Sequence, residues 1–221
     1  MSLLDFARGP ALEWALIFMA AGLVWRLAGA LLLARSCYLS KPRRHTALIG
    51  GLIGGLRTVF TRSVPKRQLM GASMIGFVAG YVMHVGLFIV ILLFIPHIVF
   101  FEDLLGFGWP GLPNDLVTAA AAVTLATLIG LLVRRMTHPV LKRISGFDDY
   151  ISWVVTALPL ATGLMAFAHL GPRYELMLAL HLLSVELLMI WLPLGKLFHA
   201  VGFIPSRFQL GAKFERKGVK A

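Results

Sequence analysis

Two histidines bracket the apolar stretch HLLSVELLMIWLPLGKLFHA: His181 and His199, eighteen residues apart. On one continuous α-helix that spacing is five full turns, a rise of about 27 Å, close to the hydrocarbon thickness of a bilayer. The two imidazoles would then share one stripe, one near each membrane face. A polar group in hydrocarbon needs a partner, and neutral imidazole is a good iron ligand. Two haems, one per leaflet, would satisfy both histidines; hydrogen bonds to neighbouring helices are the plainer alternative. A second stretch, HVGLFIVILLFIPH, offers opposing ligands in His84 and His97. If it runs antiparallel to the first, His84 faces His199 and His97 faces His181. Thirteen residues leave His84 and His97 off one stripe of an ideal helix, and Pro96, just before His97, can kink the helix or alter its phase. His169 is the reserve ligand for the outer site, while His45 and His138 fall in basic loops and read as solvated.

The elements that must carry these residues are membrane helices. Hydrophobic residues make up 58% of the 221-residue chain and charged residues only 14%, against about 45–50% and ~25% in soluble domains. Five stretches reach the ~20 apolar residues needed for a crossing, roughly 11–34, 70–100, 115–133, 150–170 and 175–200. The second is too long for one crossing, so part of it must protrude or lie in the interface. TALIGGLIGGL (46–56) is too short to span and reads as interfacial or re-entrant, its glycine pairs marking close packing or a bend. The opening residues, MSLLDFARGP, lack the basic start and cleavage site of a secretory signal, so the first helix is expected to be retained. The single cysteine, Cys37, excludes an internal disulfide, a covalent haem attachment and a cysteine-ligated cluster.

Charge sets the orientation. The segment Arg35 to Arg67, the loop from Arg134 to Arg143, and the stretch from Lys196 to the end hold 18 of the 21 basic residues. Basic loops stay in the cytoplasm. The expectation is a single 1–221 domain: an all-α bundle of five transmembrane helices with the N-terminus outside, a cytoplasmic loop at about 35–69 and a basic cytoplasmic tail at about 201–221. This distribution accounts for the net charge of +11 as topology, and no base-stacking motif points to nucleic acid.

Other residues carry possible chemistry. Glu186 lies within the fifth stretch and is a candidate proton acceptor; Arg26, in the first, is a candidate partner for a haem propionate. The bland readings are that the two pair with each other or that Glu186 is protonated. Lys196, one turn before His199, suits a propionate or an interfacial snorkel. Gly76, Gly80 and Gly86 suit either a flat macrocycle or close helix packing. The basic, weakly amphipathic tail suits anionic headgroups or a soluble redox partner. A hydrolytic triad, an HExxH motif and a nucleotide-binding fingerprint do not occur.

The fifth stretch, with His181, Pro193, Lys196 and His199, resembles the haem-binding helix of the respiratory nitrate reductase gamma subunit family. HVGLFIVILLFIPH is similar to that family's second helix, and LLVRRMTHPVLKRISGFDDY to its cytoplasmic loop. The likeness covers roughly residues 75–220. It implies a five-helix anchor in the inner membrane of a prokaryote. That anchor would carry two b haems and pass electrons between membrane quinone and a cytoplasmic iron–sulfur partner. Related membrane subunits of heterodisulfide-reductase-like and sulfite-reductase-associated complexes share the architecture. Two features depart from the pattern. The second-helix histidines are thirteen apart rather than ten, with Phe94 at the tenth position, and LPNDLVTAAAAVTL lacks the lysine found near the family's quinol site.

Overall fold

The computed structural model describes residues 1–32, 49–64, 67–171 and 173–219, with the side chains of 67–70, 72 and 73 left out. Cys37, His45 and the basic residues Arg35, Lys41, Arg43, Arg44, Lys66 and Lys220 lie outside the described residues. The described chain is helical and contains no strand. Nine helices are labelled here: α1 (Leu3–Leu32), α2 (Ile49–Thr61), α3 (Arg67–Leu93), α4 (Ile95–Leu105), α5 (Asn114–Thr137), α6 (Pro139–Ile144), α7 (Phe147–Phe167), α8 (Tyr174–Leu194) and α9 (His199–Arg216). Five of them, α1, α3, α5, α7 and α8, are long and apolar enough to cross a membrane.

Local chemistry explains the ends of these helices. Ser2 and Asp5 close a capping box at the start of α1. Pro10, which has no N–H to give, sits in a π-helical turn at Ala7–Ala11. Gly106 ends α4 at φ 79°, its N–H on the Glu102 carbonyl at 2.8 Å. At the start of α7 the Gly146 N–H donates to Asp149, which also holds Arg135 at 3.0 Å.

Two breaks differ from the expected continuous helices. The long second stretch divides at Phe94, which is extended (φ −82°, ψ 123°), and Pro96 sits in the first turn of the new helix α4. The fifth stretch stops at Leu194. Gly195 is extended, a 3₁₀ turn covers Lys196–Phe198, and His199 opens α9. This corrects the five-turn alignment of His181 and His199, which assumed one unbroken helix. Pro193 withholds an N–H in the last turn of α8, and the extended Gly195 ends the hydrogen-bond ladder.

The chain forms two compact units: Met1–Phe18 with Ser73–Trp191, and Met19–Ala72 with Leu192–Ala221. In the first unit the core cluster is Ala121, Leu128, Ala157 and Leu160, with Met83, Leu87, Val90, Leu125, Trp153 and Leu164 packed against it. Buried positions favour small or hydroxyl side chains such as Ala15, Ala179, Thr124, Ser152 and Ser184, whereas Trp14, Ile75 and Leu116 point outward. Lipid tails are as apolar as leucine, so close van der Waals packing rather than hydrophobicity selects what lies between helices. The hydroxyls of Thr118, Thr124, Thr127, Thr156 and Thr162 each donate to the carbonyl four residues back, which satisfies them without water.

In the second unit α2 packs antiparallel on α9. A methyl group at Gly54 would meet Glu215, one at Gly55 would meet Phe208, and one at Gly211 would overlap the Gly54 carbonyl and Thr58. The glycine pairs of the short segment thus serve close packing. Arg207 donates to Ser63 Oγ at 2.7 Å and lies over the Phe203 ring.

Gly86 of α3 has the side chain of Thr124 where its Cβ would stand. Gly86→Leu should push α3 from α5 and cost about 1–3 kcal/mol, the usual penalty for overpacking. A lowered thermal midpoint in detergent checks this; an unchanged midpoint contradicts it.

Candidate functional site

The break at Phe94 leaves the last carbonyls of α3 without helical donors. Three groups take them. His97 Nδ1 bonds the Val90 carbonyl at 2.8 Å, Trp109 Nε1 bonds Leu92 at 2.5 Å, and the Leu112 N–H bonds Leu93 at 2.9 Å. The interruption therefore resets the phase of His97 and also fixes its ring. Phe94, the residue that stands where the resembled family has a histidine, packs edge-on against His97 (centroids 5.1 Å apart) and Phe167 (5.8 Å).

His181 reaches the same place from α8. Its Nδ1 lies 3.1 Å from the Pro159 carbonyl and 3.4 Å from Thr162 Oγ1. Thr162 is 3.1 Å from Ser184 Oγ, and Ser184 donates to the His181 carbonyl at 2.7 Å. Gly163 makes the approach possible, since a Cβ there would stand 3.0 Å from the imidazole Cε1. The two rings are 9° from parallel with centroids 6.1 Å apart.

That separation can be tested against a bridging metal. A metal–imidazole bond of about 2.0–2.1 Å plus a ring radius of roughly 1.1 Å puts each centroid about 3.2 Å from the ion. Two imidazoles on opposite sides of one ion then have centroids about 6.3 Å apart. A carbonyl can only accept, so Nδ1 of each ring carries the proton and Nε2 keeps its lone pair, the form that ligates metal. The centroid spacing of this stacked pair is close to that of two imidazoles sharing one iron. Among the described residues no cluster of three or more His, Cys, Asp or Glu gathers as a bare metal ion would need.

His84 and His199 show the same Nδ1 contact. His84 bonds the Gly80 carbonyl at 2.7 Å, and His199 bonds the Lys196 carbonyl at 2.8 Å. His84 belongs to the first unit and His199 to the second. Of the α3 glycines, Gly86 abuts Thr124 and Gly76 abuts the Arg134 guanidinium, while a Cβ at Gly80 would meet nothing within 4 Å. His169, the reserve ligand, is exposed, sits in left-handed backbone (φ 53°) and stacks on Tyr174. The ring beside His181 is that of His97.

Glu186 is 5% exposed, and its Oε1 has no partner among the described residues. Five residues from His181, it points about 140° around α8 from the imidazole. It shares a buried stripe with Ala179 and Pro193. Arg26 donates to the Pro193 carbonyl at 3.3 Å, and its guanidinium lies 4.6 Å from the Phe198 ring centre. Lys196 is exposed at the start of the 3₁₀ turn. The sequence reading missed Thr162, Gly163, Pro159 and Ser184. Their signal was a run of hydroxyl, proline and glycine positions in two otherwise apolar helices.

Fold and site together define an all-helical, multi-pass membrane protein with a paired-imidazole centre. No family model matches the chain, and no solved structure matches it. It is 30% identical over 218 residues to a protein of Nitratidesulfovibrio vulgaris strain Hildenborough, an alignment that covers 96% of this chain and 93% of that protein. The chain belongs to the family of that protein.

Gly163→Ala should drive the His181 ring off the Pro159 carbonyl and lose about 1 kcal/mol, the net worth of one hydrogen bond. ¹⁵N spectra of histidine-labelled protein should show His181 as a single Nδ1–H tautomer in the wild type and as a mixture in the variant. An unchanged spectrum contradicts this role for Gly163.

Proposed function

We propose that the chain is the membrane-anchoring cytochrome b of a quinone-linked oxidoreductase. It would hold two b haems and pass electrons between membrane quinone and an iron–sulfur protein on the cytoplasmic face. The observation that carries the reading is the His97–His181 pair, stacked nearly parallel with centroids 6.1 Å apart, which would hold the outer haem. The resemblance to the nitrate reductase gamma family supports it independently. The resemblance also points to His84 and His199 as candidate haem ligands, and each has its Nδ1 on a backbone carbonyl. When bound, haem b supplies reversible one-electron transfer.

The protein's own groups do the rest. Backbone carbonyls of Val90 and Pro159 hold the outer imidazoles in the ligating tautomer. Phe94 and Phe167 wall the His97 side with apolar rings. Quinol oxidation yields two electrons and two protons. Glu186, a buried carboxyl with an unpartnered oxygen, is the proposed proton acceptor within the span. Arg26, over the ring of Phe198, and Lys196, three residues before His199, are the proposed cationic partners of haem propionates. The basic loops support an orientation with the N-terminus outside and the C-terminus in the cytoplasm, and the resemblance supports the inner membrane of a prokaryote.

Pyridine haemochrome analysis of reconstituted protein should find about two haems per chain, in keeping with four candidate imidazole ligands. His97→Ala or His181→Ala should leave about one, with loss of one step from the redox titration. Protein that binds no haem would reject the reading and favour a haem-free anchor or a proton relay through Glu186.

Glu186→Gln should keep both haems and slow quinol-linked reduction by about 10²-fold, the lower range for removing a general base. Stopped-flow reduction by a quinol analogue measures this, and an unaltered rate removes Glu186 from the proton path.

A further inference from the structure

The pair α2 and α9 carries its side chains the wrong way round for a helix pair in water. The face of α2 turned to α9 is small: Gly51, Gly54, Gly55 and Thr58 are buried. The opposite face is large and bare, with Ile49, Leu52, Ile53, Leu56 and Phe60 between 53% and 73% exposed. On a water-soluble protein such a stripe turns inward. Here the inward side is closed to it, because a methyl group at Gly54 or Gly55 already meets Glu215 or Phe208 at about 2.5 Å. The stripe has the character of the bare surface of the membrane-length helices, where Trp14 and Ile75 stand out from the protein. Yet α2 has only 13 residues, about 20 Å of helix, too short to cross a bilayer.

Charge completes the pattern. Residues 49–64 and 199–219 hold Arg57, Arg62, Arg207, Lys213, Arg216 and Lys217 against the single acid Glu215. A short helix with a bare apolar face and a basic surround matches the boundary between acyl chains and anionic headgroups. An acidic protein partner would satisfy the charges but leave the five outward apolar side chains without a comparable surface.

We propose that α2 and α9 form a glycine-locked, in-plane pair that seats on anionic phospholipid. The outward stripe of α2 enters the acyl chains, and the basic residues contact headgroup phosphates. This surface is separate from the haem and quinone chemistry and stands whether or not haem is bound.

The test uses the full chain in nanodiscs made with and without phosphatidylglycerol. In a Cys37→Ser background, Leu52→Cys, Ile53→Cys and Phe60→Cys are each labelled with bimane. The exposed acidic position Asp103→Cys serves as the water-facing control. The three stripe labels should be quenched by shallow doxyl-labelled lipid and spared by aqueous iodide, with the reverse at position 103. Replacing Arg57, Arg62, Lys213 and Lys217 by Gln should lower the co-purified phosphatidylglycerol by about fivefold per charge removed, while the thermal midpoint stays put. Iodide quenching at the stripe would overturn the proposal by placing it in water. Protection from both quenchers would overturn it by placing the stripe against protein. Phosphatidylglycerol retention that ignores the charge changes would overturn the anionic preference.

Discussion

A helix that breaks inside hydrocarbon must find new donors for the carbonyls it abandons. The site depends on how this chain meets that demand. At the Phe94 break the imidazole of His97, the indole of Trp109 and the Leu112 amide take three carbonyls of α3. After the Leu194 break the guanidinium of Arg26 takes the Pro193 carbonyl, and His199 bonds that of Lys196. The side chains with chemical potential are therefore also the caps of interrupted helices. Fixing the backbone and orienting the imidazoles are one act, and Pro96 and Pro193 are its cause.

The same constraint sorts the rest of the molecule. With no water to reward burial of large apolar groups, small residues pack between helices and bulky ones face outward. Gly86 against Thr124 and Gly163 against His181 follow this rule in the first unit, and Gly54 against Glu215 follows it in the second. At Gly163 the close approach matters chemically, because it brings the ring to the Pro159 carbonyl.

Much of this was legible in sequence where composition alone decides. Five membrane-length helices follow from hydropathy, and the over-long second stretch announced its own interruption through Pro96. The adjacency of His97 and His181 could be anticipated from antiparallel helices. What could not be read was where the ladder stops. The spacing of His181 and His199 was read on one unbroken helix, and only the extended backbone of Gly195 shows that α8 ends before His199. The five-turn spacing was thus suggestive for a reason the structure removes. The support of His181 by Thr162 and Ser184 was also hidden, since it depends on how two helices rotate about each other. The glycine pairs of α2 signalled contact but could not name α9, some 150 positions away, as the partner.

His97 and His181, stacked nearly parallel, are the proposed ligands of one haem. Electron paramagnetic resonance of the oxidised, reconstituted protein tests this pairing most directly. Near-parallel imidazoles predict a rhombic low-spin signal in the difference between the wild-type spectrum and that of His97→Ala or His181→Ala. A difference signal of the strongly anisotropic kind given by perpendicular rings, or a spectrum that either substitution leaves unchanged, would contradict the pairing.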